Sequence, residues 1–320
     1  MGEQVTFSVL IPVFNQVGKM DKCIEALKAQ TFKDFEAIIV DDGSTDDSYA
    51  MLLDHQKKDN RIKVIRHEKN KSLLEARFTA MKEAKGKYIF FLDSDDWISN
   101  DCFEVLNRLF AEHDEDVICF GFEVSPGGRK ILPTATDDLL TEVYKGVIPP
   151  AIWKNCYRRS VVDRALKGAE PFYCNMGEDT YMSSILLSNA KGFYKADDIL
   201  YFYNTGGMST EKSAFSMDKM LKGLKSVEES GNHLVAYIRK NAPEYLSGAQ
   251  EAASRMIRFI IKQYLMDEDD WNAIFEILEY FKENGYDDAF QFGVNRVLEA
   301  NVKRRMGIEI PPYYFGFEIR

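Results

Sequence analysis

Four short apolar runs punctuate the first hundred residues: positions 7–14, 35–40, 62–65 and the unbroken Tyr88-Ile89-Phe90-Phe91-Leu92. A stretch long enough for a helix separates each run from the next, and this alternation predicts a parallel α/β sheet. The fourth run is aromatic and has no polar interruption, which suits a central strand covered on both faces rather than a half-wet one. Between the runs, residues 17–29 bring Met20, Ile24 and Leu27 onto one helical face, and residues 72–84 do the same with Leu73, Leu74, Ala76, Ala80 and Met81. Their Lys and Glu positions are left for water. Asp46 is the expected N-cap of the second helix and Gly86 the expected stop of the third.

Beyond these, residues 100–112 read as a helix and 117–124 as a further strand, followed by the turn Ser125-Pro126-Gly127-Gly128. The regular alternation then ends. Residues 139–204 mix short elements, with helices expected over 152–166 and 179–188 and a strand over 199–203. From Ser216 onward the period is helical: Met217, Met220, Leu221, Leu224 and Val227 form one stripe and 246–265 carry another, with Pro243 between them. Two more helices are expected over 271–282 and 287–302, bounded by the acidic stretch 267–270 and by Gly285. These stripes are packing faces. The aromatic tail Pro311 to Arg320 is expected to pack on the body, since an exposed aromatic run is an association hazard.

Composition narrows the function classes. With 320 residues, 45% of them hydrophobic, the chain has ample material for a core. A formal charge of -10 argues against a general nucleic-acid binder, which needs clustered Lys and Arg. No apolar run approaches the roughly 20 residues of a membrane helix. Met1 to Thr6 lacks the basic start and apolar stretch of a secretory leader. The five cysteines, Cys23, Cys102, Cys119, Cys156 and Cys174, show no Cys-x-x-Cys spacing, as expected of reduced, buried thiols in a cytoplasmic protein. The histidines His55, His67, His113 and His233 are scattered and read as surface or structural residues.

The chemistry concentrates at two strand exits. Asp93-Ser94-Asp95-Asp96 follows the fourth apolar run directly, and three carboxylates crowded together are costly without a cation. In an open α/β sheet ligands gather at the carboxyl ends of the strands, and Mg²⁺ commonly binds one or two carboxylates together with substrate phosphates. A metal-diphosphate site is one reading; an acidic N-cap for a helix starting near Trp97 or Asn100 is the other, and it accounts for one carboxylate rather than three. The second run ends in Asp41-Asp42-Gly43-Ser44-Thr45-Asp46. A carboxylate there could accept hydrogen bonds from a base N–H or ribose hydroxyls, or the segment is a turn with a helix cap.

Taken in order, Phe7 through Asn15, Gln30-Thr31-Phe32, Asp41 through Ser48, Gly86-Lys87-Tyr88-Ile89 and Asp93 through Asp96 resemble family 2 glycosyltransferases in sequence and spacing. The likeness is strong over roughly the first 125 residues and thinner through Trp153 to Ser160 and Gly177-Glu178-Asp179. It implies an α/β fold of GT-A type: a Rossmann-like nucleotide-binding half over 1–125, a mixed acceptor-binding half over 126–210 and a C-terminal helical region over 211–320. It also implies an inverting enzyme that uses Mn²⁺ or Mg²⁺ and a nucleotide-sugar, most plausibly a UDP-sugar, to extend a glycan or lipid-linked acceptor in polysaccharide biosynthesis.

Residue by residue, the resemblance puts Pro12, Asn15, Asp41, Asp42, Arg77, Asp93 and Ser94 around the donor nucleotide. Asp93 and Asp95, with Asp96 as an alternative, are the metal ligands. Asp179 is the catalytic base and Glu178 its neighbour in orienting base or acceptor. Where other members carry Asn and Gly after the arginine this chain has Phe78 and Ala80, and Asn204 stands at a commonly basic position. Trp153 is a sugar platform or a buried anchor; Arg158 and Arg159 approach a diphosphate or solvate a helix. The loop Tyr201 to Ser209, with its Gly206-Gly207 pair, could close over the donor. Aspartyl phosphatases also carry Asp-x-Asp behind an apolar strand, but on their first strand and followed by Thr or Val; here three strands precede and Trp97 follows. The remaining alternative is a noncatalytic nucleotide-sugar-binding or assembly subunit, its C-terminal helices serving a partner or a second copy. Lys303-Arg304-Arg305 and the tail are compatible with peripheral contact at the inner face of a membrane.

Overall fold

The computed structural model describes residues 5–206, 216–265, 271–305, 313–314 and 317–318. Of the positions singled out above, Gly207, Met208, Ser209, the separator 267–270 and most of the tail lie outside the described residues. The chain divides into two compact units, one of Met1–Leu139, Ala151–Cys174 and Ile185–Glu211, the other of Leu140–Pro150, Asn175–Ser184 and Lys212–Arg320. The helices in chain order are α1 (Asp21–Ala29), α2 (Ser48–Lys58), α3 (Leu73–Glu83), α4 (Cys102–Glu112), α5 (Leu139–Lys145), α6 (Arg159–Gly168), α7 (Glu178–Leu187), α8 (Met217–Asn241), α9 (Leu246–Leu265), α10 (Trp271–Glu283) and α11 (Asp287–Arg305).

The first unit is built on one mixed sheet. Its strands are β1 (Phe7–Val13), β2 (Phe35–Asp41), β3 (Ile62–Arg66), β4 (Tyr88–Phe91), β5 (Trp97–Ile98), β6 (Val117–Ser125), β7 (Arg129–Ile131), β8 (Asn155–Arg158) and β9 (Phe193–Asn204). They lie in the order β3-β2-β1-β4-β8-β6-β9-β5, with β7 beside β6. β1 runs parallel to both β2 and β4, and β2 to β3, as the alternation of runs and helices predicts. All seven residues of β1 are buried, as is every residue of β4. Each fully buried Leu, Val or Phe contributes about 1.5–3 kcal/mol relative to its exposed state. Phe7 stacks on Phe103 at 5.1 Å and Tyr88 on Phe110 at 3.9 Å, which fastens α4 under the sheet. The five cysteines are free and buried, and burial pushes the thiol of Cys119 up to about 12.

Several expectations need correction. Residues 152–166 are not one helix: Ile152–Lys154 is a single 3-10 turn, Asn155–Arg158 is β8, and only then does α6 begin. β8 is antiparallel to both β4 and β6, so its strand state comes from two neighbours distant in sequence. The strand expected over 199–203 starts at Phe193, because the pairing with β6 shifts register between Cys119 and Gly121 and interrupts the alternation around Asp197 and Asp198. The first helix begins four residues later than the pattern suggests, after a turn in which Gly18 has φ +74°. Gly86 is no helix stop. It lies beyond the end of α3, and a Cβ there would come within 2.4 Å of the Ser8 backbone nitrogen, so it is required by close approach to β1. No helix starts at Trp97; Trp97–Ile98 pairs with β9 and α4 starts at Cys102, which removes the capping explanation for the acidic cluster.

The second unit is helical where the stripes predicted it. α8 buries Met220, Leu224, Val227, Leu234 and Ile238, and α9 buries Met256, Ile260, Ile261 and Leu265. Ser216 caps α8 by accepting the Lys219 N–H, and Pro243 opens the 3-10 turn before α9. α10 buries Ile274, Ile277 and Phe281. The described part of the tail holds a short antiparallel pair, Tyr313–Tyr314 with Phe317–Glu318. Among the described residues no helix is long and apolar enough to cross a membrane.

Candidate functional site

Since β1 lies between β2 and β4, the exits carrying Asn15, Asp41 and Asp93 come out on one edge of the sheet. Backbone bonds from Asp42 N to Val13 O (2.8 Å) and from Leu92 N to Leu10 O (3.0 Å) hold the three strands in register to their ends. Pro12 is buried opposite Val40. Asn15 has φ +52°, a left-handed conformation that Asn tolerates better than most residues. Its side-chain Oδ1 accepts the Thr45 N–H at 2.9 Å and its own N–H goes to Ser44 Oγ at 3.0 Å, so it ties the first exit to the second.

Asp41, the last residue of β2, and Asp42, the first beyond it, have opposite surroundings. Asp42 is 2% exposed and accepts three hydrogen bonds: His67 Nδ1 at 2.7 Å, Lys71 N at 2.9 Å and Ser72 N at 2.9 Å. His67 is held from its other side by Thr79 Oγ1 at 3.0 Å. Gly43 lets the two loops touch: with φ +73°, its Cβ would lie 2.5 Å from the Lys69 carbonyl carbon. Asp41 is 0% exposed, yet neither carboxylate oxygen has a hydrogen-bond partner. Arg66 Nε approaches Asp41 Oδ2 to 3.3 Å as an ion pair outside hydrogen-bond geometry, and the half-exposed guanidinium also stacks over Tyr49. A buried acceptor without a donor is uncommon, and such a group calls for a functional or structural explanation.

At the exit of β4 the three carboxylates also separate. Asp96 is 1% exposed; its Oδ2 accepts the Tyr201 hydroxyl at 2.6 Å and its Oδ1 the Asn204 N–H at 2.7 Å. Burial first, then the charges of Asp93 and Asp95, push its carboxyl up to about 9. Asn204 also donates its side-chain amide to Asp95 O at 3.1 Å, which gives this departure from the usual basic position a structural role. Asp93 and Asp95 are half-buried. Burial and the neighbouring Asp93 raise the Asp95 carboxyl, partly offset by its own backbone N–H and by Lys19. Arg77, 2% exposed on α3, donates to Asp93 Oδ1 at 3.0 Å; it is a buried partner of this cluster rather than an exposed helix residue. Ser94 is buried between the two open carboxylates.

Among the described residues, no group of three or more His, Cys, Asp or Glu side chains is placed to hold a metal ion. Asp96 is turned into the protein and hydrogen-bonded at both oxygens, whereas Asp93 and Asp95 are half-buried. Two half-open hard-oxygen donors fit Mn²⁺ or Mg²⁺ that completes its shell with phosphate and water.

Glu178 and Asp179 form the first turn of α7, half-buried, and belong to the second unit. Trp153 is a buried anchor, 2% exposed and stacked on Tyr201 at 4.4 Å. Arg158 donates to the carbonyls of His113 and Glu115, and Arg159 to that of Ala84, so both fasten backbone. Sequence reasoning missed the anchoring residues His67, Thr79 and Tyr201. The signal available was indirect: His67 directly follows the third strand, and Tyr201 starts the Tyr-x-Tyr segment.

The sequence model of the family described as Glycosyl transferase family 2 matches residues 8–177. The uncharacterized glycosyltransferase EpsJ of Bacillus subtilis is 30% identical over 230 residues, 67% of this chain and 66% of EpsJ. The minor teichoic acid biosynthesis protein GgaB of the same organism is 24% identical over 306 residues, 87% of this chain and 33% of GgaB. The chain thus spans less than two thirds of these curated relatives. In fold it is similar to Staphylococcus aureus TarS 1–349 in complex with UDP-GlcNAc, at TM-score 0.62 and 17% identity, covering 95% of this chain and 92% of that one.

Proposed function

The chain belongs to glycosyl transferase family 2, and on that premise we propose that it transfers a sugar from a nucleotide-sugar, most simply a UDP-sugar, to a hydroxyl of a glycan or lipid-linked acceptor with inversion at the anomeric carbon. The observation that carries this reading is Asp41, buried at the exit of β2 with two carboxylate oxygens that accept no hydrogen bond. Such a carboxylate can only accept hydrogen bonds and so selects a ligand edge that donates. Uracil offers an imino N–H and guanine an imino and an amino N–H, whereas cytosine and adenine offer one exocyclic amino N–H beside a ring nitrogen that is an acceptor and would repel the second carboxylate oxygen. Asp41 therefore favours a uridine or guanosine donor, and Asp42 with His67 fixes the loop that surrounds it.

Asp93 and Asp95 would hold Mn²⁺ or Mg²⁺, which when bound neutralises charge on the diphosphate leaving group. Arg77 holds Asp93 in place, and Asn15 keeps the first two exits together. Asp179 accepts the proton of the acceptor hydroxyl as that oxygen attacks the anomeric carbon, with Glu178 orienting the pair. One C–O bond forms, the bond from anomeric carbon to phosphate oxygen breaks, and the nucleoside diphosphate leaves with the electron pair. No enzyme nucleophile is needed. The likeness to GgaB supports an acceptor in cell-surface polysaccharide synthesis.

The test is a calorimetric panel of UDP-, GDP-, CDP- and ADP-sugars with and without Mn²⁺, followed by product mass with glycan and lipid-linked acceptors. Binding confined to uridine or guanosine donors, strengthened by metal and followed by a mass increase of one sugar, is expected. Binding without turnover would leave a nucleotide-sugar-binding subunit; no binding by any donor and no metal effect would sink the proposal.

A further inference from the structure

The segment that leads into Asp179 is fastened by two serines of α8, a helix beyond the stretch that the family model covers. Ser226 Oγ accepts the backbone N–H groups of Asn175 at 3.2 Å and Met176 at 3.1 Å, and donates to Met176 O at 3.2 Å. One turn later, Ser230, 0% exposed, donates its hydroxyl to Gly177 O at 2.8 Å. That same carbonyl accepts the Tyr181 N–H at 3.3 Å and so closes the first turn of α7. Gly177 has φ +88°, and a Cβ there would come within 3.0 Å of Met256 Sδ on α9 and 3.2 Å of Ser230 Cβ. Three consecutive residues ahead of Glu178 are thus tied by hydrogen bonds from their backbone to one helix, and the glycine among them leaves no room for a side chain against the next. All of these residues belong to the second unit.

We propose that Ser226 and Ser230 are positioning residues for the catalytic base, and that α8 serves the reaction by fixing the direction in which α7 presents Asp179. The inference rests on the reading of Asp179 as base. Its physical ground is the short lever between clamp and carboxylate. Gly177 lies two residues before Asp179, so freeing the 175–177 backbone frees the φ and ψ angles that set where the base points. Donor binding draws on residues of the first unit and is not expected to change.

The experiment uses the full chain with Mn²⁺ and whichever of UDP-N-acetylglucosamine, UDP-glucose, UDP-galactose or GDP-mannose turns over fastest, read as released nucleoside diphosphate with an alkyl glycoside or water as acceptor. Ser226→Ala is expected to lower kcat by about tenfold to a hundredfold, the scale of a small misplacement of a reacting group, with donor Kd unchanged. Ser226 is half-exposed, so Ser226→Thr keeps the hydroxyl without overpacking and is expected to restore most of kcat. The double variant Ser226→Ala with Asp179→Asn is expected to be no slower than Asp179→Asn alone, because the serine acts through the base.

Thermal melts run alongside. Should Ser226→Ala melt below the assay temperature, Ser230→Ala, which removes a single donated bond, carries the same comparison. A normal kcat in both serine variants while Asp179→Asn is inactive would overturn the clamp and leave the base reading standing. So would a loss that Thr does not restore, or a multiplicative loss in the double variant. Wild-type turnover in Asp179→Asn would overturn the base reading itself, and the clamp with it.

Discussion

The exits of β2 and β4 carry nearly the same string of aspartates and treat them by the same division. At β2 the second acid, Asp42, is hydrogen-bonded three times while the first, Asp41, has no hydrogen bond at its carboxylate. At β4 the last acid, Asp96, is hydrogen-bonded at both oxygens, while Asp93 and Asp95 remain half-open. Each exit spends one carboxylate on hydrogen bonds that build its loop and leaves another out of that network. They differ in what covers the open group. Asp41 is fully buried with one cation, the half-exposed Arg66, at its side, which leaves its acceptor capacity for an N–H donor; the open acids at β4 crowd one another, and their charges suit a cation.

The largest effect that could break this comparison is at β4. Asp95→Asn or Asp93→Asn is expected to lower turnover by about 10³-fold, the scale of losing one preorganised charge-stabilising group, while the melting temperature stays within a few degrees of wild type. Asp96→Asn should do the reverse, lowering the melting temperature more than it lowers metal-dependent donor binding. Equal turnover losses with equal melting temperatures in all three would remove the division of labour.

Next in size is Asp42. Asp42→Ala strips acceptors from His67, Lys71 and Ser72 at once, and leaving buried donors unsatisfied is expected to cost roughly 2–4 kcal/mol of unfolding free energy in urea. Asp41→Asn should cost little, because it removes a buried carboxylate that accepts no hydrogen bond and is paired only with the half-exposed Arg66. It should instead weaken a UDP donor by about 10- to 100-fold, the value of a hydrogen bond to a charged acceptor, and narrow the preference for UDP over CDP. A stability loss at Asp41 equal to that at Asp42 would show that the orphaned carboxylate is structural.

How much of this could be read from the chain depends on distance in sequence. β1, β2 and β4 were legible because a short, mainly apolar run followed by a polar turn is a local signal. So were the α8 and α9 stripes, whose period comes from the helix itself. β8 was not: Asn155-Cys156-Tyr157-Arg158 is too polar to read as a buried strand, and only β4 and β6 on either side make it one. The two exits were recognisable as sites, yet the separation of Asp41 from Asp42 was only half legible. Adjacent residues on a strand point to opposite faces, so one of them had to turn away from the other. Which one meets residues 67–72 is decided by His67 and Thr79, neither of which carries a motif. Asp96 similarly waits on Tyr201 and Asn204, more than a hundred residues away.

The smallest effect isolates hydrogen bonding from burial. Asp46, the third acid of the β2 exit, accepts the Ser48 N–H at 3.0 Å and the Val17 N–H at 3.3 Å and is largely exposed. Its slight burial raises the carboxyl, but the bonds from Ser48 and Val17 outweigh that and hold it below its ordinary 3.8. Because the folded value is the lower one, the ionised form stabilises the fold above the ordinary carboxylate range, and this contribution disappears as pH falls through the depressed value. Solvent screening limits it to no more than about 0.5 kcal/mol. Wild type should therefore be more stable than Asp46→Ala by that small margin near neutrality, with the charge-dependent part closing in acid. A gap as large as that of Asp42→Ala would mean that hydrogen bonds to an exposed acid suffice to make it structural. A gap near the screened limit, closing on acidification, would leave burial as what separates Asp42 from Asp46.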